Sequence, residues 1–375
     1  MKNRLYSTGN VLRSILLTLP MSIITMLMLS QGGAALKTTM DTVTYLITCT
    51  FYSTVFFMML YKGQIDKWRA VAFVTSAVLF CVSFMSNLID MRGTVTYSEA
   101  DITSCEIPFC HIVTTMIIIP AAIKQTIIFP GSILSGFASI SSMLVIIIGS
   151  SIILGRGFCS WGCFYGGWDD GFSRVKKNPI IKTVNTAYRW FSFAMFIIMA
   201  LWSAATLAPE YCSWLCPFKL VTERDAIVDT ETLLKNIVML VIFIVLVVVL
   251  PIITKKRAQC ATFCPMGAFE SLFNKISIFQ VKNNESKCIK CGKCQKTCPM
   301  LAIDSQLTPL INCSKCGKCV DTCPTGAMQF HIKGTPMGSR ITTARLLFIY
   351  PAYTLMITLI GGSVMNALKI IMNLF

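Results

Sequence analysis

The sequence predicts an all-α multi-span membrane protein, about seven transmembrane helices plus a re-entrant segment, with a small α+β domain inserted before the last helix. Three observations predict it. The 375 residues are 54% hydrophobic and only 13% charged, with mean hydropathy +0.67, a composition that suits lipid better than water. Seven apolar runs, near 11–29, 41–60, 70–89, 132–154, 188–208, 233–253 and 344–365, each approach the ~20 residues that cross a ~30 Å hydrocarbon core as helix. Between the sixth and seventh lies a polar stretch holding eight of the 18 cysteines.

The first run follows Lys2 and Arg4 and ends in "LSQGGAAL", a poor cleavage site, so it reads as an uncleaved signal-anchor. An eighth apolar run, "HIVTTMIIIPAAIKQTIIFP" (111–130), differs from the others. It contains Lys124, and Pro120 and Pro130 break it, which suits a re-entrant or surface segment better than a lipid-facing span. With the N-terminus inside and seven spans alternating, 26 of the 33 Lys and Arg fall inside and 10 of the 17 acids fall outside. That is the positive-inside pattern of a multi-pass cell (inner, cytoplasmic) membrane protein. It accounts for the net charge of +16 by the lipid bilayer rather than by nucleic acid.

The polar stretch carries "CIKCGKCQKTCP" (288–299) and "CSKCGKCVDTCP" (313–324). Each is C-x2-C-x2-C-x3-C-P, the run in which three cysteines hold one iron–sulfur cluster and the fourth ligates the other. Cys288, Cys291, Cys294 and Cys323 are thereby expected to hold one [4Fe–4S] cluster, and Cys313, Cys316, Cys319 and Cys298 a second. Gly292 and Gly317 let the backbone pass close by, and Pro299 and Pro324 turn the chain away. Disulfides are disfavoured on the inferred cytoplasmic side, and zinc rarely uses interleaved runs of this kind. Over roughly 280–332 the sequence resembles a two-cluster ferredoxin domain, with "AIDSQ" like that family's short strand. The organisation is therefore a transmembrane core at 1–279, the cytoplasmic ferredoxin-like domain at 280–332, and a C-terminal transmembrane helix at 333–375.

Six further cysteines form C-x3-C pairs at the ends of apolar runs: Cys159/Cys163, Cys212/Cys216 and Cys260/Cys264. Pro after Cys216 and Cys264 suits the first position of a helix, where free N–H groups favour a thiolate or an anionic cluster. "PMGAFESLFNK" reads as a short amphipathic helix on the membrane surface. Alternating spans put Cys159, Cys163, Cys260 and Cys264 at the inner face. They put Cys212, Cys216, Cys105 and Cys110 at the outer face. Each set has the four thiols that one cluster needs, giving an inner metal site and an outer site, or outer disulfides, and one or two further Fe–S clusters. Cys49 and Cys81 lie mid-span, as apolar fillers or a redox stop within the membrane. Trp161, Trp168 and Trp214 read as interfacial belt residues, and Trp161 and Trp214, each inside a C-S-W-x-C, alternatively as shields for a cofactor. His111, beside Cys110, reads as an interfacial histidine, with a ligand or proton carrier as the alternative.

"GRGFCSWGC" and "CATFCPMGAF", with the ferredoxin-like run, resemble the polyferredoxin-like membrane proteins of the NapH/NosR type, and more loosely the CcoG copper-site assembly factors. The resemblance covers roughly 130–332. Phe164 departs from it, standing where the family usually has Pro, and no large periplasmic flavin domain is present. The resemblance implies a multi-span core with C-x3-C-P motifs joined to a cytoplasmic two-cluster ferredoxin domain.

What is missing narrows the function. His111 and His331 are the only histidines, too few for a cytochrome b core. There is no C-x-x-C-H for haem attachment, no nucleotide-binding glycine fingerprint and no P-loop. The expected function is electron transfer between a cytoplasmic donor and a membrane or extracytoplasmic acceptor, as an electron-transfer subunit of an oxidoreductase system, with no catalytic residue of its own. Lys287, Lys290, Lys293, Lys296, Lys315 and Lys318 face either anionic lipid or an acidic donor of ferredoxin or flavodoxin type. A quinone or flavoprotein is the expected acceptor. Two alternatives stay open: a metal-reducing assembly factor for metalloenzyme maturation, and a transmembrane thiol–disulfide reductant carrier.

Overall fold

The computed structural model describes residues 9–33, 36–94, 96–97, 110–126, 128, 140–222, 224–337 and 341–374. Cys105 and the stretch 129–139 lie outside the described residues. Seven helices are long and apolar enough to cross a membrane: Val11–Ser30 (α1), Thr39–Lys62 (α2), Ile65–Asp90 (the apolar part of α3, Ile65–Arg92), Leu144–Trp161, Thr186–Thr206, Thr230–Thr254 and Ile341–Asn373. The helix Thr114–Lys124 (α4), which follows a tight turn at His111–Val113, is too short to cross. The fourth span is made by Ile140–Leu154 (α5) and the short turn Phe158–Trp161 (α6), separated at Gly155, whose φ of 55° ends the regular helix.

The N-terminal helices and the last helix pack together. A capping box starts α2: Thr38 Oγ1 accepts the Asp41 N–H at 3.1 Å, and Asp41 Oδ2 accepts the Thr38 N–H at 2.9 Å. Gly63, in the left-handed region at φ 68°, ends α2 and turns the chain into α3. Tyr353 OH donates to Tyr52 O (2.8 Å), and the Tyr52 hydroxyl meets Ser76 Oγ at 2.7 Å. Three helices are thus joined at one buried polar point, which satisfies groups that lipid could not.

Beyond α6 the chain turns back at Cys163 and forms Phe164–Phe172 (α7), which runs along α3. The fifth span contains Phe191–Thr206 (α8), and the sixth, Thr230–Thr254 (α9), includes a π-helical stretch at Phe243–Val249. Pro265–Phe273 (α10) packs against α8. This corrects the expectation of a surface helix: every residue from Pro265 to Ser271 is buried. Its polar side chains find partners inside, Glu270 Oε1 in the Ser151 hydroxyl (2.7 Å) and Ser271 Oγ in Arg156 Nη1 (2.9 Å), while Glu270 Oε2 is buried without a hydrogen-bond partner.

The ferredoxin-like segment contains an antiparallel pair, Phe279–Asn283 (β3) with Met328–Ile332 (β4), in register Phe279↔Ile332 to Asn283↔Met328. A separate two-residue parallel pair joins Thr96–Tyr97 (β1) to Arg224–Asp225 (β2). Two single-turn helices, Lys293–Thr297 (α11) and Lys318–Thr322 (α12), follow Gly292 and Gly317 at φ 67° and 85°. The segment seats on the last span (α12's neighbour in sequence, Ile341–Asn373, hereafter α13) through Phe348, whose ring lies 4.7 Å from Phe330 and 5.5 Å from Phe279. On the other side Asp321 Oδ2 accepts the Asp66 N–H at the start of α3 (2.7 Å).

Candidate iron–sulfur sites

In the ferredoxin-like segment the chain makes two similar loops, each around its own cavity. One cavity is lined by Cys288, Cys291, Cys294 and Cys323. The second is lined by Cys298, Cys313, Cys316 and Cys319. Each combines three cysteines of one motif with the remote cysteine of the other. The donor set fits a thiolate-ligated cluster, since four cysteines line each cavity. The two loops are built alike, since Lys290 and Lys315, at matching positions, both take φ 52°. Cys294 and Cys319 lie within electrostatic reach of one another, so the two spaces are neighbours.

The two cavities face different surroundings. Cys291 is exposed, and Lys287, Lys290, Lys293 and Lys296 around the first cavity are exposed with it. Burial alone would push the Cys323 thiol up, but N–H groups of Met328, Thr325 and Ala327 and the Thr325 hydroxyl hold it below the usual thiol range. The second cavity is turned toward the helices. Lys315, expected among the docking lysines, is instead buried and caps the end of α5, its Nζ donating to Leu154 O (2.6 Å) and Ser277 Oγ (2.8 Å). Burial pulls its pKa down to about 8. Burial likewise pushes the Asp321 carboxyl up to about 7.

Arg69, fully buried, joins this end to the helices. Its Nε donates to Cys316 O (3.2 Å), its Nη1 to Ser160 O (2.8 Å), and its Nη2 to Asp66 (3.0 Å) and Asp170 (2.9 Å). Arg174 closes the network on the same two carboxylates. Trp161, also fully buried, donates from Nε1 to Lys315 O at 3.3 Å. Neither Trp161 nor Trp168 is a belt residue: Trp168 Nε1 donates to Cys81 Sγ at 3.3 Å. Trp214 packs instead under the Lys235 ammonium, 4.8 Å from its ring centre. Cys49 is simply buried.

Next to Arg69 begins a pseudo-twofold arrangement that motif spacing alone did not reveal. Arg156-x2-Cys159-x3-Cys163-x2-Gly166 matches Arg257-x2-Cys260-x3-Cys264-x2-Gly267. Each arginine crosses to the other motif: Arg156 Nη2 donates to Cys260 O (2.6 Å) and Arg257 Nη2 to Cys159 O (2.8 Å). Each glycine leaves room for the arginine from the other half. A Cβ on Gly166 would lie 2.5 Å from Arg257 Nη2, and one on Gly267 2.7 Å from Arg156 Nη2. Phe164, despite replacing Pro, does not change the turn. Cys163 (φ −77°, ψ 107°) matches Cys264 (φ −71°, ψ 120°), and both cap a helix start.

Cys163 and Cys264 each lie within electrostatic reach of the other three cysteines of the set Cys159, Cys163, Cys260 and Cys264. Two fully buried guanidiniums stand beside them, neither in a carboxylate ion pair among the described residues. The buried carboxylates Asp169 and Asp170 lie within electrostatic reach of Arg257, and Glu270 of Arg156, without pairing directly. Four thiolates around a net-negative cluster would add the anionic charge that buried cations favour, so the donor set fits an iron–sulfur centre.

The separation into inner and outer sets is not what the structure shows. Cys216 lies within electrostatic reach of Cys264, and Cys110 of both. After α8 the chain folds back instead of staying at the end of the bundle. The Glu210 N–H bonds Ser203 Oγ (3.3 Å), and Tyr211, fully buried, accepts from Gln259 Nε2 (2.9 Å). Hydropathy places such a loop at a face because it counts spans and cannot see the return. Among the described cysteines none is in a disulfide. His111 is likewise not interfacial. It is 3% exposed, caged by the rings of Phe158, Phe164 and Tyr165, with Nε2 3.1 Å from Cys163 Sγ. His331 sits in β4 and takes no part.

Comparison with known proteins points the same way. Models described as 4Fe-4S binding domains match residues 280–303 and 312–326, and a third matches 135–182, 187–223 and 236–282, one C-x3-C pair in each stretch. An uncharacterized protein of Methanocaldococcus jannaschii is 28% identical over 165 residues, 42% of this chain and 64% of the relative. YccM of Escherichia coli (strain K12), a protein named for electron transport, is 26% identical over 184 residues, 45% of this chain and 48% of the relative. The methylamine utilization ferredoxin-type protein MauN of Paracoccus denitrificans is 37% identical over 74 residues, 18% of this chain and 26% of the relative. The chain thus spans less than two thirds of the length of each. No solved structure matches significantly. The chain thus carries matches to three 4Fe-4S binding domain models, together with seven helices long and apolar enough to cross a membrane.

Proposed function

We propose that the protein is a membrane-bound electron-transfer protein that passes electrons between a cytoplasmic donor and a membrane or extracytoplasmic acceptor. The observation that carries this is Arg69, which joins Cys316 O to Ser160 O with no exposed layer between the ferredoxin-like segment and the helices. In this reading Cys288, Cys291, Cys294 and Cys323 hold one [4Fe–4S] cluster and Cys298, Cys313, Cys316 and Cys319 a second. Cys159, Cys163, Cys260 and Cys264 hold a third within the helical core. Clusters bound at these three sets would supply one-electron transfer in series. The electron-transport name of YccM supports the reading.

The chain's own residues give the series its polarity. Lys287, Lys290, Lys293 and Lys296 surround exposed Cys291 and offer an acidic donor, of ferredoxin or flavodoxin type, a complementary surface. Arg69, Asp66, Asp170 and Arg174 hold the second cavity against α3 and exclude water from the junction. Phe164, next to Cys163, stacks on Phe80 at 3.8 Å, about 22 Å along α3 from Ile65 at ~1.5 Å per residue. Ile65 touches the second cavity at Gly317, so the thiols extend from the junction far into the apolar layer. That depth suits a quinone or a membrane flavoprotein as acceptor. The lysine-rich end faces the cytoplasm by the positive-inside rule.

The test uses a variant with Cys298, Cys313, Cys316 and Cys319 changed to Ser. A reduced soluble ferredoxin is expected to fail to reduce the membrane centre of this variant, while dithionite still does so, as read by EPR. Equal reduction by ferredoxin in parent and variant would overturn the proposed order.

A further inference from the structure

The two halves of the membrane site are alike in arginine, cysteine spacing and glycine, and differ in one respect. The Cys264 sulfur faces backbone N–H groups of Gly267 and Met266. The Cys163 sulfur faces the backbone N–H of Gly166 and, in addition, the imidazole of His111. His111 reaches it from a separate element, the turn ahead of α4, and is held there by three aromatic rings. The corresponding surroundings of Cys264 carry the phenol of Tyr211, whose hydroxyl is already engaged by Gln259.

We propose that His111 is a positioning residue which donates an Nε2–H hydrogen bond to the Cys163 sulfur and so raises the reduction potential of the centre held by Cys159, Cys163, Cys260 and Cys264. The inference rests on the membrane centre proposed above. Hydrogen bonds to ligand sulfurs are among the groups that set cluster potentials. A bond donated to sulfur disperses the negative charge that each added electron brings, so it favours the reduced state. The effect is large where no water competes, and His111 is 3% exposed. It also makes one half of the pseudo-twofold site unlike the other, which places the added electron's charge preferentially on the Cys163 side. A higher potential at this site than at the ferredoxin cavities draws electrons inward.

The experiment is an anaerobic EPR-monitored redox titration of the full-length parent, His111→Ala and His111→Gln, with iron counted in each. In His111→Ala the midpoint of the membrane centre is expected to move to a more negative potential with iron retained, and the ferredoxin signals to stay where they are. His111→Gln keeps an N–H donor on a longer arm and is expected to recover part of the shift. An unmoved midpoint and unchanged g-values in His111→Ala would overturn the proposal. So would loss of about four irons in both variants, which would make His111 a ligand or a folding residue. A parent with only about eight irons would instead remove the membrane centre itself, and that is known before either variant is made.

Discussion

The ferredoxin-like segment and the membrane cysteine site solve the same problem with different means. In the segment, eight cysteines come from 36 residues, Cys288 to Cys323, and local turns do most of the positioning. Left-handed Lys290, Gly292, Lys315 and Gly317 bend each loop around its cavity. In the membrane site, Cys159 and Cys260 lie a hundred residues apart, and the positioning is done by two arginines that reach across to each other's backbone. The first site is a property of its loops. The second exists only when two distant segments meet, and it should fail in different ways.

The largest effect is expected at the junction of the two regions. Arg69→Met removes the bridge and leaves Asp66 and Asp170 short of a buried cation. Breaking a buried ion pair costs roughly 3–5 kcal/mol. Thermal unfolding in detergent should show the loss, and limited proteolysis should release the ferredoxin-like segment early. Full protection would mean that the remaining contacts, through Phe348, Asp321 and Lys315, hold the segment in place.

Next come the crossing arginines and their glycines. Arg257→Ala leaves Cys159 O and Gly166 O without their donor, a loss on the order of 3 kcal/mol for two charge-assisted bonds. Gly166→Ala drives a methyl to 2.5 Å from both Arg257 Nη2 and Cys159 O, overpacking that costs roughly 1–3 kcal/mol. Gly149→Ala in α5, with nothing within 4 Å, is the control and should be neutral. In both site variants the EPR signal of the membrane centre should weaken while the ferredoxin signals persist. Equal loss of all signals would deny that the two regions are separately built.

The smallest expected effect on stability is at the surface. Changing Lys287, Lys290, Lys293 and Lys296 to Glu should leave the melting temperature within experimental error, since exposed charges contribute little. The same change should slow reduction by an acidic donor at low salt by tenfold or more. Lys315→Met sharpens the contrast. It should lower stability, through loss of the bonds to Leu154 O and Ser277, without slowing the donor.

The same contrast explains what was legible in the sequence. The eight ferredoxin-type cysteines and their crossed pairing are written in short spacings, and the two cavities are lined as those spacings require. The seven apolar runs were equally plain, since length and composition alone decide them. The grouping of Cys159, Cys163, Cys260 and Cys264 followed from counting spans. Its cause, Arg-x2-Cys-x3-Cys-x2-Gly written twice, was visible on self-comparison; the 212/216 pair has Pro209 and Lys219 at the corresponding places. The return of Tyr211 toward Gln259, the burial of α10 and the cage around His111 were not legible. Each depends on partners far away in sequence, and polar residues such as Glu270 read as surface until those partners are seen.

The measurement that bears most directly on the central claim is iron and acid-labile sulfide per chain in anaerobically purified protein, compared with a Cys159/Cys163/Cys260/Cys264→Ser variant. About twelve irons falling to about eight is the expected result, two four-iron clusters surviving in the ferredoxin-like segment. About eight in both proteins would contradict a cluster held by the crossing-arginine site.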